Sequence, residues 1–224
     1  LGALGIAGVG VAGLMSPASS MILPIGLPEL PFHLRLDALS AFFMVLLGSA
    51  AFGVTVYASS YFKSMVAGSL ALLSLWYHLF LAGMAMVLLA DDAYAFMVAW
   101  EVMALSSYFL VTTDHKIPEI RRAGFLYLLI AHVGAISLLL TFGVLQGGQG
   151  DYTFDTMRFA QLTPFWASVV YLLALFGFGA KAGLVPLHVW LPEAHPAAPS
   201  PVSALMSGVM LKTAELYDPV TNTW

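Results

Sequence analysis

Long uncharged stretches dominate the pattern of apolar and charged positions along this chain. Because the hydrocarbon core of a bilayer is about 30 Å thick, a helix needs about 20 mostly apolar residues to cross it. Four uncharged runs are long enough: Ala38–Phe62, Ser64–Ala90, Ala123–Gly150 and Phe159–Ala180. A fifth stretch, Ala93–Thr112, is interrupted only by Glu101. The pattern therefore predicts about five complete membrane-spanning helices.

Shorter apolar segments lie at both ends of the chain. Leu1–Met15 has the composition of the last part of a span, and Pro201–Leu211 begins another apolar run. The segment Ser16–Leu36 contains four prolines, which favour an extended interfacial stretch over a helix. We therefore expect an all-α, polytopic transmembrane helical bundle with a partial span at either end.

Composition excludes several classes of protein. Of the 224 residues, 60% are hydrophobic and 9% are charged, whereas soluble domains carry about 25% charged residues. The net charge of −4 is spread too thinly to form a nucleic-acid-binding surface. Because the chain has no cysteine, disulfides and cysteine ligands to zinc or iron–sulfur clusters are excluded. The composition is typical of an integral membrane protein.

The basic residues of the predicted connections indicate an orientation. Alternation of the connections places four of them on one side of the membrane: Lys63, Lys116, Arg121 and Arg122. Arg35 and Arg158 fall on the other side, together with most acidic residues of the connections. Since Lys and Arg are enriched in short cytoplasmic loops, the first side is predicted to be cytoplasmic.

Three charged residues lie in or next to predicted spans, where a charge costs about 2.5–3.5 kcal/mol on insertion scales. Glu101 lies near the middle of its stretch, Lys181 lies deep in Phe165–Leu191, and Lys212 follows Pro201–Leu211. Charges at such depth usually mark ion or proton pathways. The structural alternatives are a packing carboxylate at Glu101 and an interfacial position for Lys212.

Residues that interrupt helices surround Lys181: Gly177, Gly179, Gly183 and Pro186. They predict a discontinuous helix, which at membrane depth is tolerated where it is buried in protein or lines a cavity. Removal from water favours the neutral form of a lysine, so a buried lysine can lose and regain a proton. The alternatives are a permanent structural ion pair or a side chain that reaches the interface.

Two histidines are candidates for further steps of a proton relay. His188 follows Lys181 by seven residues and would share its face if the helix continued. His132 lies inside Ala123–Gly150 and could instead bridge two helices. Histidine titrates near neutrality, which suits proton transfer. His195 lies among prolines, where a turn or a cap is the simpler interpretation.

The segments around these charges resemble a known family. AWEVMALSSYFL (99–110) and FGFGAKAGLVPLHVWLPEAHPAAPSPVSALMSGVMLKTA (176–214) are similar to segments of the antiporter-like, proton-translocating membrane subunits of respiratory complex I. The family includes Mrp-type cation/proton antiporters and membrane subunits of energy-converting hydrogenases. The second segment is nearest to the hydrogenase-4 (formate hydrogenlyase) branch. The resemblance covers about 32–214.

The resemblance implies a chain of charges at mid-membrane depth, formed by Glu101, Lys181 and Lys212. Ionised Glu101 would keep Lys181 protonated, and loss of that charge would let the proton pass along water and histidines such as His188 and His132. The implied function is that of a proton-translocating membrane subunit in a redox-driven complex of the hydrogenase-4 or NADH–quinone oxidoreductase type. The alternative is a subunit of a stand-alone Mrp-type cation/proton antiporter; a purely structural membrane anchor and a retinal-type photoreceptor fit less well.

The resemblance also implies the setting of the chain. Its partners would be other membrane subunits and a peripheral redox arm, in a multisubunit complex of the cell inner (plasma) membrane. The chain would be a non-catalytic subunit without a cofactor. Flavin, iron–sulfur or nickel–iron centres would belong to partner subunits.

Residues 1–214 are predicted to form one partial antiporter-like membrane domain. Members of the family continue after the helix of Lys212 with a second set of spans. Here the sequence changes after Ala214 to ELYDPVTNTW, which resembles part of a kelch repeat, a soluble β-propeller unit. Residues 215–224 are therefore expected to be a foreign tail and not a domain.

Overall fold

The computed structural model describes residues 1–62, 67–148 and 150–210. Lys63, Lys212 and the tail 215–224 lie outside this part of the chain. Within these described ranges, five helices are long and apolar enough to cross a membrane, which confirms the predicted number of spans. These are α2 (Ala38–Tyr61), α3 (Ala67–Leu89), α4 (Ala93–Val111), α5 (Pro118–Gln146) and α7 (Pro164–Ala182).

Capping residues fix where several spans begin. The Asp37 carboxylate accepts a hydrogen bond from the Ser40 amide (2.9 Å) at the start of α2. The Asp92 carboxylate accepts one from the Ala95 amide (2.6 Å) at the start of α4. Pro118 opens α5, where its missing N–H costs nothing. These side chains satisfy amides that a helix leaves without intrahelical partners.

A hairpin occupies the proline-rich segment between α1 (Gly2–Leu14) and α2. Strands β1 (Ser19–Leu27) and β2 (Leu30–Leu36) pair in antiparallel register, with an irregularity between Leu23 and Gly26. The segment is thus extended, as the prolines predicted. The pairing adds a two-stranded sheet to an otherwise helical bundle.

At one end of the bundle, backbone pairing and hydrogen bonds to a carboxylate join the hairpin to the connections between helices. Short bridges pair Leu34 of β2 with Ala90 and Asp92 with Thr153, the residue before α6 (Phe154–Arg158). The Asp92 carboxylate, nearly fully buried, also accepts from the His33 amide at 2.6 Å, and the His33 ring lies 3.2 Å from it. The hairpin and two interhelical connections therefore meet at a single residue.

Close backbone contacts hold the helices in pairs, α1 on α2, α3 on α4 and α5 on α7. A Cβ added to Gly177 of α7 would lie 2.9 Å from the Gly134 carbonyl oxygen of α5, and one on Gly83 of α3 would lie 2.9 Å from the Met103 amide of α4. Small residues allow this approach, which is the usual basis of helix association in lipid.

The helix that carries Lys181 is interrupted, as predicted. Helix α7 ends at Ala182, and Gly183 follows with φ of +75°, in the left-handed region that favours glycine. The chain resumes in a 3₁₀ turn (Leu187–Trp190) and three short helical segments, which are α8 (Leu191–Ala197), α9 (Ser200–Leu205) and a π-helical turn (Met206–Met210). The Trp190 indole donates to the Ala180 carbonyl (2.8 Å), which satisfies one acceptor at the broken end.

Candidate functional site

The side chain of Lys181 is enclosed at the break in α7. It is 3% exposed, and its ammonium donates a hydrogen bond to the Tyr127 hydroxyl at 2.9 Å. The ammonium also lies 5.7 Å from the centre of the Trp100 ring, within cation–π range, whereas its distance of 5.2 Å from the centre of the Tyr127 ring reflects the hydrogen bond at the hydroxyl edge of that ring. In the described part of the chain, no carboxylate lies within 4 Å of it. A buried cation therefore rests on a neutral hydroxyl and on the ring of Trp100.

The Tyr127 hydroxyl is held in turn by Ser107 of α4. The two oxygens are hydrogen-bonded, and the Ser107 hydroxyl also reaches the carbonyl oxygens of Met103 (2.8 Å) and Ala104 (2.9 Å). Ser107 and Tyr127 are 0% and 1% exposed. We call these three hydrogen-bonded residues, Lys181, Tyr127 and Ser107, the lysine cluster.

Three spans contribute to the lysine cluster, so it exists only in the packed bundle. Helix α4 supplies Ser107, α5 supplies Tyr127 and α7 supplies Lys181. The glycine contact between α5 and α7 brings the last two together. The Trp190 ring packs edge-on against the Tyr127 ring at 5.1 Å and closes the cluster from beyond the helix break.

Glu101 belongs to a second, more accessible pair. Its carboxylate lies 3.5 Å from His132 Nε2, and the two side chains are 32% and 45% exposed. His132 Nδ1 lies 2.9 Å from the Leu128 carbonyl, which can only accept. Nδ1 therefore carries a proton, and the contact becomes an ion pair when His132 is also protonated at Nε2.

The lysine cluster and the Glu101–His132 pair lie at different heights along α4 and α5. Along α4, six residues separate Glu101 from Ser107, which corresponds to about 9 Å at 1.5 Å per residue. The partners on α5, His132 and Tyr127, are five residues apart in the opposite direction. The structure thus brings Glu101 to His132 and Lys181 to Tyr127, and does not bring Glu101 into contact with Lys181.

The expected alignment of His188 with Lys181 depended on a continuous helix. Since α7 ends at Ala182, the seven-residue spacing does not place the two side chains on one helical face. His188 lies in the 3₁₀ turn, and its Nδ1 is buried without a hydrogen-bond partner among the residues the structure describes.

His195 connects the short segments after the break. Its Nδ1 lies 2.8 Å from the Ser203 hydroxyl, and its ring stacks over Trp190 at 6.5 Å. This bridge between α8 and α9 agrees with the structural interpretation of that histidine.

Sequence reasoning missed Tyr127, Ser107 and Trp100. The available indication was the presence of a serine and a tyrosine inside runs long enough to span a membrane. Polar side chains at such depth usually bond across helices. Which of them face each other depends on the packing of three spans, which no local pattern contains.

The chain is similar to proteins of known families. The family described as "NADH:quinone oxidoreductase/Mrp antiporter, TM" matches residues 90–217, more than half of the chain. Hydrogenase-4 component B of Escherichia coli (strain K12) is 43% identical over 179 residues, which cover 80% of this chain and 26% of the relative. NADH-quinone oxidoreductase subunit M of the same strain is 32% identical over 194 residues, which cover 81% of this chain and 37% of the relative.

A solved structure shares the fold. The structure of the Mrp complex from Dietzia sp. DQ12-45-1b contains a chain that superposes with a TM-score of 0.81 at 24% identity, over 95% of this chain and 24% of that one. The chain described here thus spans about a quarter to a third of the length of these proteins. With five membrane-length helices among its described residues, it is a multi-pass membrane protein. The match over more than half of its length shows that the chain belongs to the NADH:quinone oxidoreductase/Mrp antiporter transmembrane family.

Proposed function

We propose that this chain is part of a proton-translocating membrane subunit of a redox-driven complex, and that Lys181 takes up and releases the transported proton. The complex would be of the hydrogenase-4 (formate hydrogenlyase) or NADH–quinone oxidoreductase type. The observation that carries the proposal is the burial of the Lys181 ammonium at a helix break with a neutral hydroxyl as its hydrogen-bond partner.

The surroundings of Lys181 favour transfer over a permanent structural role. Burying an ammonium costs several kcal/mol, and a structural lysine usually recovers that cost from a carboxylate. In the part of the chain that the structure describes, the compensation around Lys181 comes from one hydrogen bond to a neutral hydroxyl and from the Trp100 ring, and no carboxylate contacts the ammonium.

The Glu101–His132 pair is the candidate for a neighbouring step. This pair and the lysine cluster both link α4 to α5. While the Glu101 carboxylate is ionised, it acts on Lys181 as a negative charge at a distance and favours the ammonium form. Water and hydroxyl groups would carry the proton between the two depths. Lys212 and His188 remain candidates for the continuation of the relay.

Relatives of the chain are named as components of multisubunit membrane complexes. By the same proposal, the partners of this chain are other membrane subunits and a peripheral redox arm in the inner membrane. Flavin, iron–sulfur or nickel–iron centres are expected in those partners and none in this chain.

The test is the variant Lys181→Met in the intact complex, reconstituted in proteoliposomes. We expect redox-coupled proton translocation to be lost while the complex still assembles. Lys116→Met is the matched control, since it removes the same charge from an exposed connection. Undiminished translocation by Lys181→Met would refute the proposal.

A second arm of the experiment separates the pump from a stand-alone cation/proton antiporter. The membrane subunits are reconstituted without their redox arm, and exchange of Na⁺ or K⁺ for protons is driven by an imposed gradient. Exchange that depends on Lys181 under these conditions would favour the antiporter. Translocation that requires the redox arm favours the pump.

A further inference from the structure

We propose that Tyr127 is a positioning residue that favours the protonated form of Lys181 through a directional chain of hydrogen bonds. This inference rests on the function proposed above. It concerns how the lysine cluster controls the release of the proton, and it follows from the donors and acceptors that surround the Tyr127 hydroxyl.

The carbonyl groups next to Ser107 favour one direction for this series of hydrogen bonds. Ser107 has one hydroxyl hydrogen, and the carbonyls of Met103 and Ala104 next to it can only accept. With its hydrogen given to a carbonyl, the Ser107 oxygen accepts from the Tyr127 hydroxyl. The Tyr127 oxygen then presents its lone pairs to Lys181, which donates to it at 2.9 Å.

This order suits an ammonium better than a neutral amine. An ionised donor makes the stronger hydrogen bond to the Tyr127 oxygen. A neutral Lys181 would need a donor for its own lone pair, and the nearest hydroxyl hydrogen is already bonded to Ser107. A neutral Lys181 could still donate an N–H hydrogen to the Tyr127 oxygen, but its lone pair gains a hydrogen bond from Tyr127 only if that hydroxyl hydrogen turns away from Ser107, at the cost of that bond.

The packing around Tyr127 holds its ring, so that only its hydroxyl hydrogen can move when the charge of Lys181 changes. The Tyr127 ring is 1% exposed and is enclosed by the Trp190 ring at 5.1 Å. Among the residues that the structure describes, the other acceptor near its hydroxyl is the Met210 sulfur at 4.0 Å, which is a weak one. The ring stays in place, and rotation about its C–O bond accompanies the change in charge of Lys181.

The experiment measures proton translocation by the intact complex across a pH series, normalised to redox turnover. In Tyr127→Phe, the ammonium loses its hydrogen-bond acceptor while the ring remains. We expect the alkaline limb of the profile to move by about one to two units to lower pH, the size expected for one hydrogen bond to a charged group. Ser107→Ala removes the acceptor that orients Tyr127 and should give a smaller shift in the same direction.

Tyr77→Phe is the matched control. It removes a phenolic oxygen that bonds to Thr55 between α2 and α3, 3.1 Å away, and does not touch the lysine cluster. A profile of Tyr127→Phe that superposes on that of the unmodified complex would overturn the inference, as would an equal shift in Tyr77→Phe. The Lys181→Met variant tests the proposed function separately. If it still translocates protons, the proposed function fails; if it does not and the Tyr127→Phe profile is unshifted, only the inference about Tyr127 fails. If Tyr127→Phe does not assemble, an unshifted Ser107→Ala profile overturns the inference.

Discussion

The contact between Gly134 and Gly177 sets the distance between α5 and α7, and therefore the geometry of Lys181. Gly177 lies one helical turn before Lys181, and Gly134 lies two turns after Tyr127. In Gly177→Ala, the new methyl group would lie 2.6 Å from Leu138 Cγ and 2.9 Å from the Gly134 carbonyl oxygen. Leu138 is fully buried and has little room to turn away. We predict that the two helices separate locally.

The size of the effect follows from these distances. Ordinary van der Waals contact begins near 3.4 Å, so relief of the contact with the backbone oxygen requires a movement of about 0.5 Å. A shift of that size lengthens the 2.9 Å bond between Lys181 and Tyr127 beyond the normal range. Overpacking costs about 1–3 kcal/mol, and the better helix propensity of alanine returns about 1 kcal/mol. The complex should therefore assemble with a small loss of stability.

The assay compares proton translocation and thermal stability of the intact complex. Gly177→Ala should reduce translocation by about tenfold or more, which corresponds to about 1.4 kcal/mol in the barrier, with only a small decrease in Tm. Gly143→Ala on α5 is the control, because its added Cβ meets nothing within 4 Å. It should leave translocation unchanged. Normal translocation by Gly177→Ala would show that the close approach of α5 and α7 does not position Lys181.

Two further predictions concern charged groups elsewhere in the bundle. Burial raises the pKa of Asp91 above its ordinary 3.8, and the Arg35 guanidinium, 4.0 Å away, opposes this only in part. An acid whose pKa is raised by folding destabilises the fold once it ionises, so Asp91→Asn should increase the Tm at pH 7. The gain should vanish as the pH falls to 3.8 and below, and a gain that persists there would contradict this explanation. Glu101→Gln should reduce translocation without loss of assembly, because it removes the negative charge that pairs with His132. Unchanged translocation in that variant would assign Glu101 a packing role.

The sequence determined the class of the fold and the positions of its charges. Span length is set by bilayer thickness, so uncharged runs predicted the five helices, although the predicted starts of α5 and α7 lie five residues from the observed ones. The glycines around Lys181 predicted the break, because Gly183 can adopt the left-handed conformation that ends α7. The prolines of Ser16–Leu36 indicated extended chain, although the pairing of β1 with β2 was not foreseen.

Only the tertiary structure decided which groups meet. Glu101 and Lys181 were the evident charges, yet the first pairs with His132 and the second with Tyr127, about one and a half helical turns apart along α4 and α5. These partners are set by the rotation and separation of packed helices, which depend on contacts such as that of Gly134 with Gly177. An apolar run records that a helix spans the membrane, and nearly all of its faces are apolar. The sequence of such a run therefore carries little information about which face of the helix meets a neighbouring helix. The lysine cluster depends on that choice of face.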